Sequence, residues 1–316
     1  MDHRILILGN RALGIHALHH LLEQGERDIL VVLNPDDTGV DDTGGLSLKR
    51  RVLAWGVDHI QPRGLRDEET QALLRGFKPT FGLSCSYAKI IPPDVIEMPT
   101  HGFLNVHFAD LPINRGCLPV VWTIAGGDSK LTATLHEVTE GLDEGAILSK
   151  GSVPMTPGTT AGEGYAACVD IGNTLFREFW AGYAPTGSFK SVAQDDDAAT
   201  YHKMRHPYER WIPWHLDARH VADVINALTY FPHPSGRTQL PDGEEIGILG
   251  SALARADLTG QPGEVVFQDN EWAVICGSGG GVTLGGLRLG EDIALCDAKL
   301  AAGQILTSPE KEIYTE

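Results

Sequence analysis

The first 33 residues restrict the fold more than any other stretch. Arg4-Ile5-Leu6-Ile7-Leu8-Gly9 is a short apolar run closing on glycine, the pattern of a parallel strand buried on both faces. From Ala12 to Gln24, Leu13, Ala17, Leu18, Leu21 and Leu22 recur at helical spacing, with Gly25 as the stop. Ile29-Leu30-Val31-Val32-Leu33 repeats the buried-strand pattern. Strand, helix and strand in so short a span predict a right-handed βαβ unit. The pattern continues with a helix over Leu46–Trp55 and strands over Thr80–Cys85, Gly102–His107 and Leu131–Glu137, then a helix over Gly162–Trp180. The fold class expected is α/β, a doubly wound, mostly parallel sheet.

The pattern changes near residue 195. A loop carries Asp195, Asp196 and Asp197, and His215–Leu228 has helical spacing. Beyond Pro232 come short strand-like pieces broken by glycine, at Glu244–Leu249, Glu264–Gln268, Trp272–Cys276 and Gly281–Leu289. Such pieces predict a small β-barrel or sandwich. The expected organisation is a catalytic domain over 1–195, a linker and helix over 196–240, and a barrel over 241–316.

Composition narrows the partners. There are 25 Lys and Arg against 42 Asp and Glu, a net charge of −17, which on average repels phosphate backbones and anionic membranes. The five cysteines are dispersed without a CxxC pair, as in a reduced, cytoplasmic protein. No stretch approaches the ~20 apolar residues of a membrane span. No cluster has metal-ligand spacing, so no metal is expected.

Two motifs carry chemistry. Gly9-Asn10-Arg11-Ala12-Leu13-Gly14 has the outline of a dinucleotide turn but lacks the middle glycine that backbone approach to a pyrophosphate needs. It reads as a tight strand-to-helix turn. In Asn105-Val106-His107 two polar side chains share one strand face. Leu111-Pro112-Ile113-Asn114-Arg115-Gly116 follows, and then His136 to Gly145, a loop that sets Asp143 between Gly141 and Gly145.

This ordered set resembles the folate-dependent formyltransferase family: methionyl-tRNA formyltransferases, amino-sugar formyltransferases and the hydrolase domain of 10-formyltetrahydrofolate dehydrogenase. The family runs Asn-x-His, Leu-Pro-x-x-Arg-Gly and an Asp-x-Gly loop in a Rossmann-like domain. The resemblance implies 10-formyltetrahydrofolate as co-substrate, with no metal and no covalent enzyme intermediate. It implies Asn105 and His107 as donors to the oxyanion of a tetrahedral intermediate, with His107 as acid or base, and Asp143 as the group that orients His107 and helps deprotonate the amine. Ser86, Tyr87, Ala88, Ile90 and Ile91 look like the loop lining the pterin site, joined by Val138, Glu140 and Gly141. The segment from Gly263 to Leu306 resembles the OB-like barrel appended to the tRNA enzymes and some sugar enzymes. Where many relatives read His-Pro-Ser-Leu-Leu-Pro, this chain has His107-Phe108-Ala109-Asp110-Leu111-Pro112, and Thr132-Ala133-Thr134 replaces a Gly-Val-Thr. The first of these changes borders the amine side of the site.

The acceptor is the open question. In tRNA enzymes the loop after the second strand resembles a basic insertion that grips the acceptor arm. Here Asn34–Gly45 holds Asp36, Asp37, Asp41 and Asp42 and no basic residue. Asn114 in Leu-Pro-x-Asn-Arg-Gly also looks more like amino-sugar members. The expectation is therefore a small-molecule amine, foremost an amino-sugar nucleotide, with Arg115, Asp110 and Arg11 as substrate contacts. Trp122, Tyr201 and Arg205 are further candidates for a base or diphosphate. Methionyl-tRNA is the alternative acceptor. A folate hydrolase or a non-catalytic folate-binding protein is the third reading, and the oligomeric state stays open.

Overall fold

The computed structural model describes residues 3–42, 45–231 and 233–309. Residues 43 and 44 of the acidic loop, Pro232 and the tail of the expected barrel lie outside the described residues. The two leading apolar runs are strands because every side chain in them is buried: β1 (Ile5–Gly9) and β2 (Ile29–Leu33) flank α1 (Arg11–Glu23). The chain continues with α2 (Leu48–Trp55), β3 (Asp58–Ile60), α3 (Glu68–Phe77), β4 (Phe81–Cys85), α4 (Pro93–Ile96) and β5 (Phe103–His107). Next come the two-residue β6 (Arg115–Gly116), α5 (Pro119–Ala125), β7 (Lys130–Glu137), β8 (Ile147–Pro154) and α6 (Ala161–Tyr183).

A seven-stranded sheet forms in the order β3-β2-β1-β4-β5-β7-β8. From β3 through β5 every neighbour is parallel; β7 then runs antiparallel to β5. The order reverses between β1 and β4, and ligands of doubly wound sheets bind outside the carboxyl ends of strands at such a point. Leu6, Leu8, Leu30, Val32, Leu65, Leu74, Val95 and Phe103 form a buried cluster on one face of this sheet.

The Gly9–Gly14 turn is a packing device. A Cβ at Gly9 would lie 3.1 Å from Leu48 Cδ2, and a Cβ at Gly14 would lie 3.0 Å from the same methyl. Both glycines make room for the first residue of α2, as the tight-turn reading holds.

Several elements escaped the sequence reading. β3 has three half-exposed or exposed residues and no alternation. Helix α3 buries only Thr70 and Leu74, too few for a clear apolar stripe, although Asp67 caps it by accepting from Thr70 N. β8 leaves every residue at least partly exposed, as an edge strand does. Helix α6 runs past the predicted Trp180 to Tyr183.

The chain divides into two compact units that interleave in sequence. One comprises residues up to 115, 132–152 and 168–200; the other comprises 116–131, 153–167 and 201 onward. The division falls differently from the linear domains expected, because α5 and the start of α6 belong with the C-terminal unit. That unit also contains β9 (Tyr201–His202), α7 (Ala218–Ala227), β10 (Gly236–Gln239), β11 (Glu245–Leu249), β12 (Ala254–Arg255), β13 (Val265–Gln268), β14 (Glu271–Ile275), β15 (Gly281–Thr283), β16 (Gly286–Leu289) and β17 (Asp292–Ala294). These make two antiparallel four-stranded sheets, β10-β11-β16-β17 and β12-β15-β14-β13. Gly281–Leu289, read as one strand, is two, and they belong to different sheets. No helix among the described residues is long and apolar enough to cross a membrane.

Candidate active site

Register builds the site. On β5, Asn105 and His107 share a face, and Asn105 stands directly opposite His136 on antiparallel β7. Residues so paired point their side chains the same way. The Asn105 amide donates from Nδ2 to His136 Nε2 at 3.1 Å. His136 Nδ1 donates in turn to the Glu137 carbonyl at 2.8 Å. His136 is 2% exposed. Burial first, and then the neighbouring His107, hold its imidazole well below the usual 6.5, in the neutral form.

Asp143 enters from the loop after β7. Its Oδ2 lies 3.6 Å from His107 Nδ1 and its Oδ1 lies 3.6 Å from His136 Nε2. One carboxylate thus stands between two imidazoles. On its other edge, His107 Nε2 donates to the Asn114 carbonyl at 2.8 Å. The structure brings Asn105, His107 and Asp143 together, as the sequence motif requires. The buried His107 Nε2–H is already committed to a backbone carbonyl.

The loop is held from a distance. Gln194 Nε2 donates to the carbonyls of Asp143 and Gly145, both at 2.7 Å. Arg115 donates to Gln194 Oε1 through Nε at 3.1 Å and Nη2 at 2.8 Å, and Nη2 also reaches Asp196 at 2.7 Å. A Cβ at Gly145 would overlap the Glu137 carbonyl, so only glycine lets the loop fold back against β7. Ser86, Asn114 and Asp143 all sit in left-handed backbone, at φ 56°, 58° and 58°. Such residues gather where a surrounding structure must aim a group.

The expected folate residues converge in part. Tyr87, Ile91 and Val138 pack on the apolar cluster beneath β1 and β4, and Val138 N donates to the Phe103 carbonyl at 2.7 Å. Ala88 N is anchored by Asn34 Oδ1 at 3.1 Å. Ile90 stands 79% exposed, a large apolar side chain facing open space. The Tyr87 hydroxyl is buried with no hydrogen-bond partner among the described residues, and burial pushes it up to about 12. Glu140 is exposed and Gly141 half-buried.

The expected acceptor contacts are placed differently. Arg115 is 6% exposed and spent on Gln194 and Asp196, so it braces the loop instead of facing a substrate. Asp110 pairs with Lys150 Nζ at 2.6 Å on β8, and Lys150 also donates to the Leu111 carbonyl. The Arg11 side chain lies against Gly45 of the acidic loop. In the C-terminal unit, Trp122 is buried and stacked on His202 at 4.1 Å, so its ring face is taken. His136, Gln194 and Lys150 were missed. A polar residue ending a buried strand opposite Asn105 was the signal for His136; Gln194 and Lys150 gave none.

Within the acidic loop the carboxylates serve the loop itself. Asp37 accepts from Ser47 Oγ at 2.6 Å and Lys49 N at 2.9 Å, holding the start of α2. Asp41 pairs with Arg50 at 3.2 Å and with Arg51. Among the described residues no group of His, Cys, Asp and Glu is arranged to hold a metal ion, and all five cysteines are free thiols.

A carboxylate between imidazoles, beside an amide N–H, can take up a proton and steady an oxyanion. Comparison with known proteins agrees. The family model described as formyl transferase matches residues 3–178. The methionyl-tRNA formyltransferase of Chloroflexus aggregans is 32% identical over 265 residues, 83% of this chain and 84% of that protein. That of Sorangium cellulosum is 29% identical over 312 residues, 96% and 97% of the two chains. An N-formyltransferase from Helicobacter canadensis, solved with folinic acid and dTDP-3-aminofucose, superposes with a TM-score of 0.70 over 89% of this chain and 98% of that one. At 17% identity that likeness is one of fold. The chain belongs to the formyl transferase family and is an enzyme that transfers formyl groups.

Proposed function

We propose that the enzyme moves the formyl group of 10-formyltetrahydrofolate to the primary amine of a small metabolite, with an amino-sugar nucleotide as the best fit. The observation behind formyl transfer is that Asn105 and His107 share a face of β5 and the loop after β7 brings Asp143 against His107. The neutral amine attacks the formyl carbon. The carbonyl oxygen becomes an oxyanion, steadied by the Asn105 amide, since the His107 Nε2–H is held by the Asn114 carbonyl and its Nδ1 faces Asp143. The amine proton passes to the His107–Asp143 pair. Collapse of the intermediate breaks the bond to N10 of the folate, and N10 regains a proton. The loop over Ser86–Ile91 fits a flat heteroaromatic ring: Ile90 and Ile91 offer apolar surface, and the Tyr87 hydroxyl has no partner among the described residues.

The acceptor reading rests on the loop after β2. It contains no lysine or arginine, and Arg50 and Arg51 beside it are engaged by Asp41. A surface gripping RNA needs free cations there, since phosphate contacts dominate such binding. The second reading, methionyl-tRNA as acceptor, is favoured by relatives of that name over nearly the whole chain.

A paired assay with 10-formyltetrahydrofolate separates them. One arm holds initiator methionyl-tRNA; the other holds amino-sugar nucleotides and free metabolite amines. Mass spectrometry reads the added formyl group. A formylated small amine supports the first reading, formylated tRNA overturns it, and folate turnover without formylated product points to a hydrolase.

A further inference from the structure

Formyl transfer as described needs one Asn105 N–H aimed at the developing oxyanion, yet an asparagine amide can flip and present its oxygen instead. We infer that His136 is the positioning residue that prevents this flip. The inference rests on the assignment of Asn105 as the oxyanion donor.

The hydrogen bonds fix the arrangement in sequence. The Glu137 carbonyl can only accept, so His136 Nδ1 must carry the ring proton. A neutral imidazole with its proton on Nδ1 has a lone pair on Nε2. Only the NH2 end of Asn105 can meet that lone pair, as it does at 3.1 Å. A flipped amide would bring Oδ1 against the lone pair, two acceptors face to face. His136 could tolerate the flip by gaining a second proton, but it is 2% exposed, and burial together with the neighbouring His107 outweighs the Asp143 carboxylate and disfavours the charged ring. Changing tautomer would leave Nδ1 facing the Glu137 carbonyl without a proton. Both escapes are closed. One Asn105 N–H is consumed by His136, and the second has no partner among the described residues. The register Asn105↔His136 sets this geometry through the β5–β7 ladder, so it does not depend on a loop.

The test is a double-mutant cycle in the intact chain, with steady-state formyl transfer and thermal melting as readouts. His136→Leu removes the acceptor. His136→Gln restores one, because the glutamine Oε1 falls near the former Nε2. The expected result is a kcat at least about tenfold lower for His136→Leu, less than the about hundredfold loss on removing the donor itself. KM for the folate should stay within about twofold, and His136→Gln should recover most of kcat. In an Asn105→Ala background, His136→Leu should cost nothing further, because no amide remains to orient. A kcat left unchanged by His136→Leu overturns the inference, as does an equal loss in the presence and absence of Asn105. If His136→Leu does not fold, the His136→Gln and His136→Gln/Asn105→Ala pair decides the question in the same way. An active Asn105→Ala enzyme would instead remove the assignment of the donor, a separate outcome from failure at His136.

Discussion

The two units use the β-strand in opposite ways. In the first, β1, β2 and β4 bury all five residues each. In the second, β10 and β11 alternate buried and half-exposed or exposed positions, and β17 buries none of its three residues. A wholly buried parallel strand has no outward face on which to keep a polar group in water. Polar side chains there survive only when partnered. Asn105 in the middle of β5, His107 at its end and His136 one residue before the end of β7 each have a partner. The candidate site is built from such partnered polar groups on β5 and β7. On β10 and β11 the alternate positions stay open to water and are free of that pressure.

The contrast can be broken by experiment, starting where the effect is greatest. Asn105→Ala or His107→Ala should lower kcat/KM by about a hundredfold or more while the melting temperature holds, because one oxyanion donor is worth about 10²–10³ in rate and a general base about 10²–10⁴. Near-normal turnover in either well-folded variant would remove the site from β5. Next, Leu83→Ala on β4, 0% exposed, should cost about 2–5 kcal/mol in urea unfolding, whereas Leu295→Ala after β17, 75% exposed, should stay within about 0.5 kcal/mol. Equal losses would erase the distinction between the two sheets. Gln194→Ala should leave the fold intact and lower kcat, since the Asp143 and Gly145 carbonyls lose their common donor at about 1 kcal/mol per bond. An unchanged kcat would mean that the loop holds its own shape.

The smallest effect belongs to the C-terminal unit. On α7, burial pushes Asp223 up to about 6 from 3.8. The folded state therefore keeps a proton that the unfolded chain releases, and stability falls as pH rises from about 4 to about 6. Asp223→Asn should melt with wild type near pH 4 and above it at pH 7. A constant difference across that range would deny the buried carboxyl its part.

The same contrast explains what the sequence disclosed. Buried strands announce themselves as unbroken apolar runs, so β1, β2, β4 and β5 were legible, and Asn105 and His107 stood out as polar exceptions within them. Short strands with one wet face blend into loops, so β3, β8 and β10 were not legible. The site was half readable for a related reason. Asn105, His107 and Asp143 follow a local spacing, whereas His136 matters through register. Gln194 matters through a contact about fifty residues away in the chain, on the carbonyls of Asp143 and Gly145. Arg115 was read as facing the substrate because spacing says nothing about which way a guanidinium turns; Gln194 and Asp196 claim it.

The methyl of Leu48, seated against both Gly9 and Gly14, bears on how this enzyme lives among other metabolites. Nicotinamide dinucleotides abound in cells and seek a glycine turn of this outline at the end of a first strand. Here that berth is filled from within by the protein's own side chain. A dinucleotide entering that turn would meet the Leu48 methyl where its pyrophosphate needs bare backbone, and α2 would have to move first.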